Sequence, residues 1–589
     1  MMTEAATKIL FVVPPHLTFQ DFTNPPYNAR HVLKKNGKYY GNLLTDMPLG
    51  ILSLSAYVKK YSTTEIEPRL IDFSVEMNQA EDFPYRSFRE YFEFAIRSVT
   101  NGVAPDIVGI SALFSPSYYS LLDIANVCRE LFPDSIIVAG GSVCSTMYRQ
   151  ILNDTDTFNA LCYGEGDKPF LGLVDAEDRR TYLDTSTSWV TKRKIEAGFQ
   201  PVHDFVENLD EIPFYDYGLC SVEKYGVNPA ITAYAGVSEK GNNYHVMTSL
   251  GCPFHCTFCA SHKVHGRKMR YYSISRIKED FQLLREKYGA KTLVVQDDHF
   301  MGDPDRALEI VNILGDLGLK AVFQNGLAMY ALKREFLEAL KKSGVENLLL
   351  SIESGNESVL KKIMKKPLKL PIVQRVVDDC RELGIYTNAN IIIGMPGETP
   401  EDIETGRTFL NTISPNWFMI FCASPLVGSE MYEVALSKGY LKEGYIGSDY
   451  KRAVIETEDF TAEYIQEMSY ILNLELNFVN NSDMRLGEYE TALKGLENAI
   501  RAKHDHAMAF YYAGQCYEKL GRHDLAEKYS RTAQEIYSKS PFWKRYFEMF
   551  GVTPGVDDTQ CPSDKISESV PTPPRRSSHS KSIFGYRND

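Results

Sequence analysis

Along the first 175 residues, short unbroken apolar runs alternate with stretches whose apolar residues recur every three or four positions. The runs "KILFVVPP" (8–15), "EPRLIDFS" with its strand ending at Asp72, "PDIVGISALFS" (105–115) and "SIIVAGG", closing on Gly140 and Gly141, predict buried strands. "GILSLSAYVKKY" (50–61) and "SLLDIANVCRELFP" have helical spacing, and "FNALCYGEGDKPF" predicts a short strand and a glycine turn. Strands alternating with helices predict an α/β fold, here a doubly wound, Rossmann-like, mostly parallel sheet over 1–175. Ligands of such sheets sit at the carboxyl ends of the strands. "SAL" (111–113), "GG" (140–141) and "GEG" (164–166) all fall there.

Residues 176–240 are charged and weakly periodic and are expected to be a connecting segment. The alternation restarts at "YHVMTSLGC". "KTLVVQDDHF", "KAVFQNGLA", "ENLLLSIESG", "TNANIIIGMPGE" and "NWFMIFCASPLVGSE" predict strands, with helices between them that mostly end in glycine. Such repetition over 241–460 predicts a parallel barrel or part of one. Residues 461–550 turn helical. "LGEYETA" at Leu486 and "LGRHDLA" at Leu520 lie 34 residues apart, with Ala492 and Ala526 in register. That period resembles a tetratricopeptide repeat, whose small residues, here Gly487, Ala492, Gly521 and Ala526, would mark a close helix crossing. About one and a half units cannot bury their own apolar face, so the region is expected to dock, on the barrel or on a protein partner. The tail over 551–589 is rich in Pro, Ser and charge and is expected to be disordered.

The 589 residues carry a formal net charge of −13, which argues against nucleic acid as a bulk partner. The start is a poor signal peptide, and no run reaches the roughly 18 apolar residues of a membrane helix. A soluble, cytoplasmic protein is expected. Eleven cysteines are scattered rather than framed as disulfides. Cys128 falls in an amphipathic helix and Cys162 in a strand, and Cys128, Cys144 and Cys162 are expected to be small buried hydrophobes rather than a second cluster. Cys252, Cys256 and Cys259 are different: "CPFHCTFC" packs three soft ligands into eight positions. A structural zinc site wants four ligands, and a fourth would have to come from His255, His262 or His265. Three thiolates fit a 4Fe–4S cluster with one iron left open.

"CPFHCTFC" resembles the cysteine loop of the radical SAM enzymes, which carry C-x3-C-x2-C after the first strand of a partial α/β barrel. "QDDHF", "SIESGNESVLKKIMK", "NIIIGMPGET" and "SPLVGSEMYEVALSKGYL" resemble further strand ends of that family, so the resemblance covers about 240–445. It implies that the open iron chelates the methionine part of S-adenosylmethionine, which is cleaved reductively to a 5′-deoxyadenosyl radical. It also implies that Ser351 and Glu353 touch the ribose or the methionine amino group. Gly394, Met395, Gly397 and Glu398 would let backbone approach the adenine, with Phe258 against the ring. The order of sheet then barrel resembles the cobalamin-binding subclass. There Ser111, Leu113, Gly140, Gly141, Gly164, Glu165 and Gly166 would line the cobalamin lower face and nucleotide tail. The string "DDHFMG" fits the D-x-H-x2-G pattern of mutase-type cobalamin domains, but it lies in the barrel. No histidine ligand is therefore expected from the sheet domain.

The resemblance implies an enzyme that methylates an unactivated carbon of a small molecule, with an electron donor such as a flavodoxin or ferredoxin. A cyclisation or rearrangement on the same cofactors is the alternative. An inert barrel carrying a partner-binding helical repeat is a second alternative, opposed by the intact cysteines and "GMPGE". Asn325, Tyr330 and Asn390 are candidate substrate-facing residues from their strand-end positions.

Overall fold

In the computed structural model, which describes residues 6–25, 31–226, 241–448 and 450–554, the opening apolar run forms the strand Thr7–Val13. It pairs in parallel with Ile66–Asp72 on one side and Ile107–Ser111 on the other. Ile107–Ser111 pairs with Ile136–Gly140, and that strand with Ala160–Cys162, again in parallel. The winding direction reverses between Thr7–Val13 and Ile107–Ser111, so a crevice opens there at the carboxyl ends. Phe11, Ile107, Val138, Leu173 and Trp189 share the core on one face.

The sheet extends beyond the expected limit at 175. Trp189–Val190 adds an antiparallel edge strand, opposite Cys162 and Leu161. Its buried indole donates to the Pro169 carbonyl at 3.1 Å. Two residues are too few to show a period, so this strand left no pattern in the sequence. Helices Phe73–Gln79, Phe88–Thr100 and Ser142–Asp154 also belong to this domain. Cys128, Cys144 and Cys162 are buried, and burial pushes the thiols of Cys128 and Cys162 up to about 12 and that of Cys144 higher still. They pack as hydrophobes.

The chain divides into two compact units. The first contains this sheet and the strands Asn243–Val246, Thr292–Val295 and Lys320–Phe323, a parallel sheet with Thr292–Val295 in the middle. The second takes His255–Cys259 and the described residues from Leu348 onward. Its strands run in the order Asn347–Glu353, Tyr386–Ile393, Trp417–Cys422. The stretch 241–460, expected as one domain, thus contributes to both units, and the cysteine loop is divided between them.

The helical C-terminal region packs within the second unit. Helix Ala462–Leu474 lies on the strand Trp417–Cys422. Asn477 covers the edge of that strand: its Oδ1 accepts from the Phe418 amide and its Nδ2 donates to the Phe418 carbonyl, both at 2.8 Å. Buried Arg407 meets Glu475 at 2.6 Å, and Arg381 meets Asp483 at 2.6 Å. Helices Tyr489–Ala502, Ala507–Lys519, His523–Lys539 and Pro541–Met549 each pack on the next. Ala492 and Ala526 are buried as expected. Gly487 and Gly521 are not at crossings. Both have φ in the left-handed region (77° and 70°) and open space where a side chain would begin, so they end turns. The close approaches fall at Gly495, against Trp417, and Gly514, against Ser530.

Candidate active site

The loops leaving the two central strands line the crevice of the first sheet. After Thr7–Val13 comes His16, whose ring lies 5.2 Å from that of Phe114, just past Ile107–Ser111. His16 Nε2 accepts the Leu44 amide at 3.1 Å, and burial lowers its pKa to about 4. A neutral imidazole with Nε2 accepting carries its proton on Nδ1 and has no lone pair left for a metal. Leu113 (49% exposed) and Phe114 (37%) present apolar surface at the same edge. Ser111 is half-buried, and Gly140 has room for a Cβ. These residues fit a broad, largely apolar planar group laid over the strand ends.

Three residues of the expected cofactor set are committed to the fold itself. A side chain on Gly141 (φ 92°) would meet the Ala112 carbonyl oxygen at 2.5 Å, and one on Gly164 would meet His203 at 2.5 Å. Glu165 is buried and accepts from Arg270 Nη1 at 2.9 Å, from Arg270 Nη2, and from His265 Nδ1 at 2.8 Å. Burial opposes its ionisation, but the bonds from His265 and Arg270 outweigh this and hold the carboxyl below its usual range.

The first half of the cysteine loop follows Ser249–Leu250 in the first unit. Asp297 fixes that approach, accepting the Thr248 amide at 2.7 Å and the Thr248 and Ser249 hydroxyls at 2.6 and 2.5 Å. The Cys252 amide donates to the Gly266 carbonyl at 3.4 Å, and Arg267 donates to the Phe254 carbonyl. His299 packs edge-on against Phe254 and shares a 3.1 Å bond with the hydroxyl of exposed Tyr330. Asn325 instead donates to the Gln296 and Asp297 carbonyls, which gives it a structural role.

In the second unit Thr257 pins the other half. Its amide and hydroxyl donate to the Met364 and Ile363 carbonyls, and its carbonyl accepts the Met431 amide at 2.8 Å. The Cys259 amide closes a turn on the Cys256 carbonyl at 3.2 Å. Phe258 is half-buried in this turn. Lys366 stands by: its ammonium donates to Glu353 at 3.1 Å. Burial would lower its pKa, but Glu353 and then Cys256 hold it raised, with Cys259 adding to the effect, so the cation lies within electrostatic reach of two of the thiols. Glu353 is buried and has φ 69°, a conformation that costs a residue with a side chain about 1–3 kcal/mol. Ser351 on the same strand face is half-buried. Glu398 is buried and accepts the Gly394 and Met395 amides at 2.7 and 3.1 Å. The space beside Gly394 is filled by Ile465, whereas Gly397 faces open space. Asn390 carries a buried Oδ1 with no hydrogen-bond partner among the described residues.

Residues 246–410 match the sequence model of the radical SAM superfamily. Over this stretch the chain is similar to the radical SAM superfamily. The chain is 26% identical over 466 residues to the cytidylyl-2-hydroxyethylphosphonate methyltransferase of Streptomyces wedmorensis, covering 73% of this chain and 86% of the relative. It is 26% identical over 428 residues to an uncharacterised methyltransferase of Pyrococcus horikoshii, covering 72% and 86%. The fold is similar to that of the radical S-adenosylmethionine methyltransferase TsrM from Kitasatospora setae, solved with cobalamin and a [4Fe-4S] cluster (TM-score 0.54, 15% identity, 90% of this chain and all of that one). It is also similar to that of the cobalamin-dependent S-adenosylmethionine radical enzyme OxsB, solved with aqua-cobalamin and S-adenosylmethionine (TM-score 0.57, 14% identity, 94% and 85%).

Among the described residues, no group of three or more His, Cys, Asp or Glu side chains converges as a metal site. The matched residues nevertheless carry three cysteines on one loop, which is held at Cys252 and at Thr257, with the Lys366 cation within electrostatic reach of Cys256 and Cys259. Lys366 and Arg270 went unnoticed in the sequence, and His16 stood out there only as a histidine without the mutase motif. Lys366 sits in the run "KKIMKKP", which reads as a solvated face, and the partners of the other two lie far along the chain. No described helix is long and apolar enough to cross a membrane.

Proposed function

We propose that this chain is a cobalamin-dependent radical SAM methyltransferase acting on an unactivated carbon of a small molecule. Cys252, Cys256 and Cys259 would hold the cluster, and the edge formed by Ser111, Leu113, Phe114 and Gly140 would take the cobalamin. The cluster supplies the electron that cleaves S-adenosylmethionine, and cobalamin carries the methyl group. The chain's own residues bind and orient. Lys366 keeps a positive charge at the thiols, and Glu353 offers a carboxylate at the strand end, where a methionine ammonium or ribose would lie. Asn390, with its unpartnered oxygen, would accept a hydrogen bond from substrate or cofactor. The observation that carries this reading is the radical SAM match, together with an apolar crevice placed at the reversal point of the first sheet. His16, its lone pair occupied, supports cobalamin bound without a histidine ligand from this domain. An electron donor of flavodoxin or ferredoxin type and a cytoplasmic setting belong to the same reading. The 34-residue spacing and buried Ala492 and Ala526 support a tetratricopeptide-like character for the C-terminal helices, used here for internal docking.

The test is anaerobic reconstitution with iron, sulfide and hydroxocobalamin. We expect about four irons per chain, bound corrinoid by absorbance, and both 5′-deoxyadenosine and S-adenosylhomocysteine from S-adenosylmethionine under reducing conditions. Replacing the three cysteines together by Ala abolishes iron uptake and both products. Stoichiometric zinc without iron would overturn the reading. Iron without corrinoid would leave a radical SAM enzyme of another kind.

A further inference from the structure

Glu165 is the one residue of the "GEG" turn whose side chain reaches out of the first sheet, and it reaches the support of the cysteine loop. Both of its oxygens bind the Arg270 guanidinium. Arg270 Nη1 also donates to the Val206 carbonyl at 2.9 Å, and Nη2 lies 3.4 Å from the His265 carbonyl. His265 donates its Nδ1–H to Glu165, since an ionised carboxylate only accepts. The side chains of Glu165 and Arg270 are more than nine-tenths buried. Residues 265–270 in turn carry Gly251–Phe254. The Gly266 carbonyl holds the Cys252 amide, and Arg267 holds the Phe254 carbonyl. Gly251 (φ 91°) lies so close to the Lys268 carbonyl that no side chain would fit between them. The Gly164 turn touches the same segment at the Val264 carbonyl, and helix His262–His265 packs on helix Ser142–Asp154, which begins at Gly141.

We propose that Glu165, acting through Arg270 and His265, is a positioning residue that holds the Cys252 half of the cysteine loop in register with the cofactor edge of the sheet, so that loading of the cluster and binding of cobalamin reinforce each other. The proposal rests on the reading above of both cofactor sites. A displacement of the 164–166 turn is transmitted by buried, charge-assisted contacts, bidentate at Arg270 and single at His265, rather than by a flexible linker. Coupling of this kind is reciprocal: whatever factor the cluster adds to cobalamin affinity, cobalamin adds to retention of the cluster.

The test compares hydroxocobalamin affinity, by absorbance titration, in full-length protein with the cluster reconstituted and after iron chelation. The wild type should bind about fivefold or more tightly with the cluster present, the lower end of common coupling factors. Glu165→Gln keeps the shape and removes the charge, and its ratio should fall below about twofold, with iron stoichiometry checked in the same sample. His265→Gln leaves the Glu165–Arg270 pair intact and should give an intermediate ratio; it decides the matter if the first variant does not fold. A folded variant that keeps the wild-type ratio, or a wild type that binds cobalamin equally with and without cluster, overturns the coupling. A wild type that takes up iron but no hydroxocobalamin overturns the cofactor reading of the sheet as well, and so is distinguished from failure of the coupling alone.

Discussion

At the scale of single residues, the site is governed by where charge is buried. Burial pushes the Glu398 carboxyl up to about 7 from 4.5, against the opposing pull of the Met395 and Gly394 amides. An acid whose folded pKa is raised binds more protons in the native state than in the unfolded one. Stability is therefore lost as pH rises from about 4.5 to about 7, by up to about 3 kcal/mol. Glu398→Gln should flatten the stability–pH profile across that window, as measured by urea unfolding at a series of pH values. A variant profile with the wild-type slope would show that Glu398 does not titrate there. Lys366 makes a different prediction. An ammonium within electrostatic reach of Cys256 and Cys259 favours the more negative, reduced state of a cluster held there. Lys366→Met should lower the midpoint potential of the reconstituted cluster by about 20–60 mV, the equivalent of about 0.5–1.4 kcal/mol for one electron, with iron content unchanged. The ligand role proposed for the cysteines was legible in the sequence because it is a matter of spacing. Lys366 was not, because its role depends on a fold that returns it to Glu353 and the loop.

At the scale of elements, the predominantly parallel strands were legible in place and order, since strands covered on both faces must be continuously apolar, but several end well before the stretch that marked them, as at Thr292–Val295 and Trp417–Cys422. Trp189–Val190 was not, because an edge strand needs only one partner and here uses two residues. Glycines were legible as turns but not by reason: Gly141 serves the Ala112 carbonyl and Gly394 serves Ile465. Gly141→Ala should accordingly lower thermal stability of the protein even without any cofactor, because the left-handed φ and the 2.5 Å approach both oppose a methyl. Loss confined to cobalamin binding, at unchanged melting temperature, would return Gly141 to the ligand. Asn477 acts on an element as a whole, since its amide substitutes for a neighbouring strand at Phe418. Asn477→Ala leaves a buried donor and acceptor unmet and should cost about 2–4 kcal/mol in chemical denaturation. A cost below about 0.5 kcal/mol would mean that water reaches the edge.

At the scale of the whole molecule, the C-terminal helices are part of the enzyme's own fold. Ile465 fills the turn at Gly394, Trp417 packs on Gly495, and two buried ion pairs, Arg407–Glu475 and Arg381–Asp483, cross from strand-bearing segments to helices. Truncation after residue 460 strips one partner from each pair, which commonly costs about 3–5 kcal/mol apiece. The shortened chain should aggregate or fail to retain iron on reconstitution. A soluble truncation that holds its cluster and cleaves S-adenosylmethionine at the full rate would instead free this region for a partner. The 34-residue spacing made the helical pairing legible, but not its docking surface, because Trp417 and Gly495 are brought together only by the fold.

The cover over Phe418 also has a consequence in time. Asn477 follows Phe418 by 59 residues, so on a ribosome adding about 5–20 residues per second the strand exists for about 3–12 s before its cover is synthesised. During that interval the nascent chain displays an open, apolar strand edge, the kind of template on which neighbouring chains associate. Yield of soluble protein should therefore depend on growth temperature and on chaperone supply more than the finished fold would suggest.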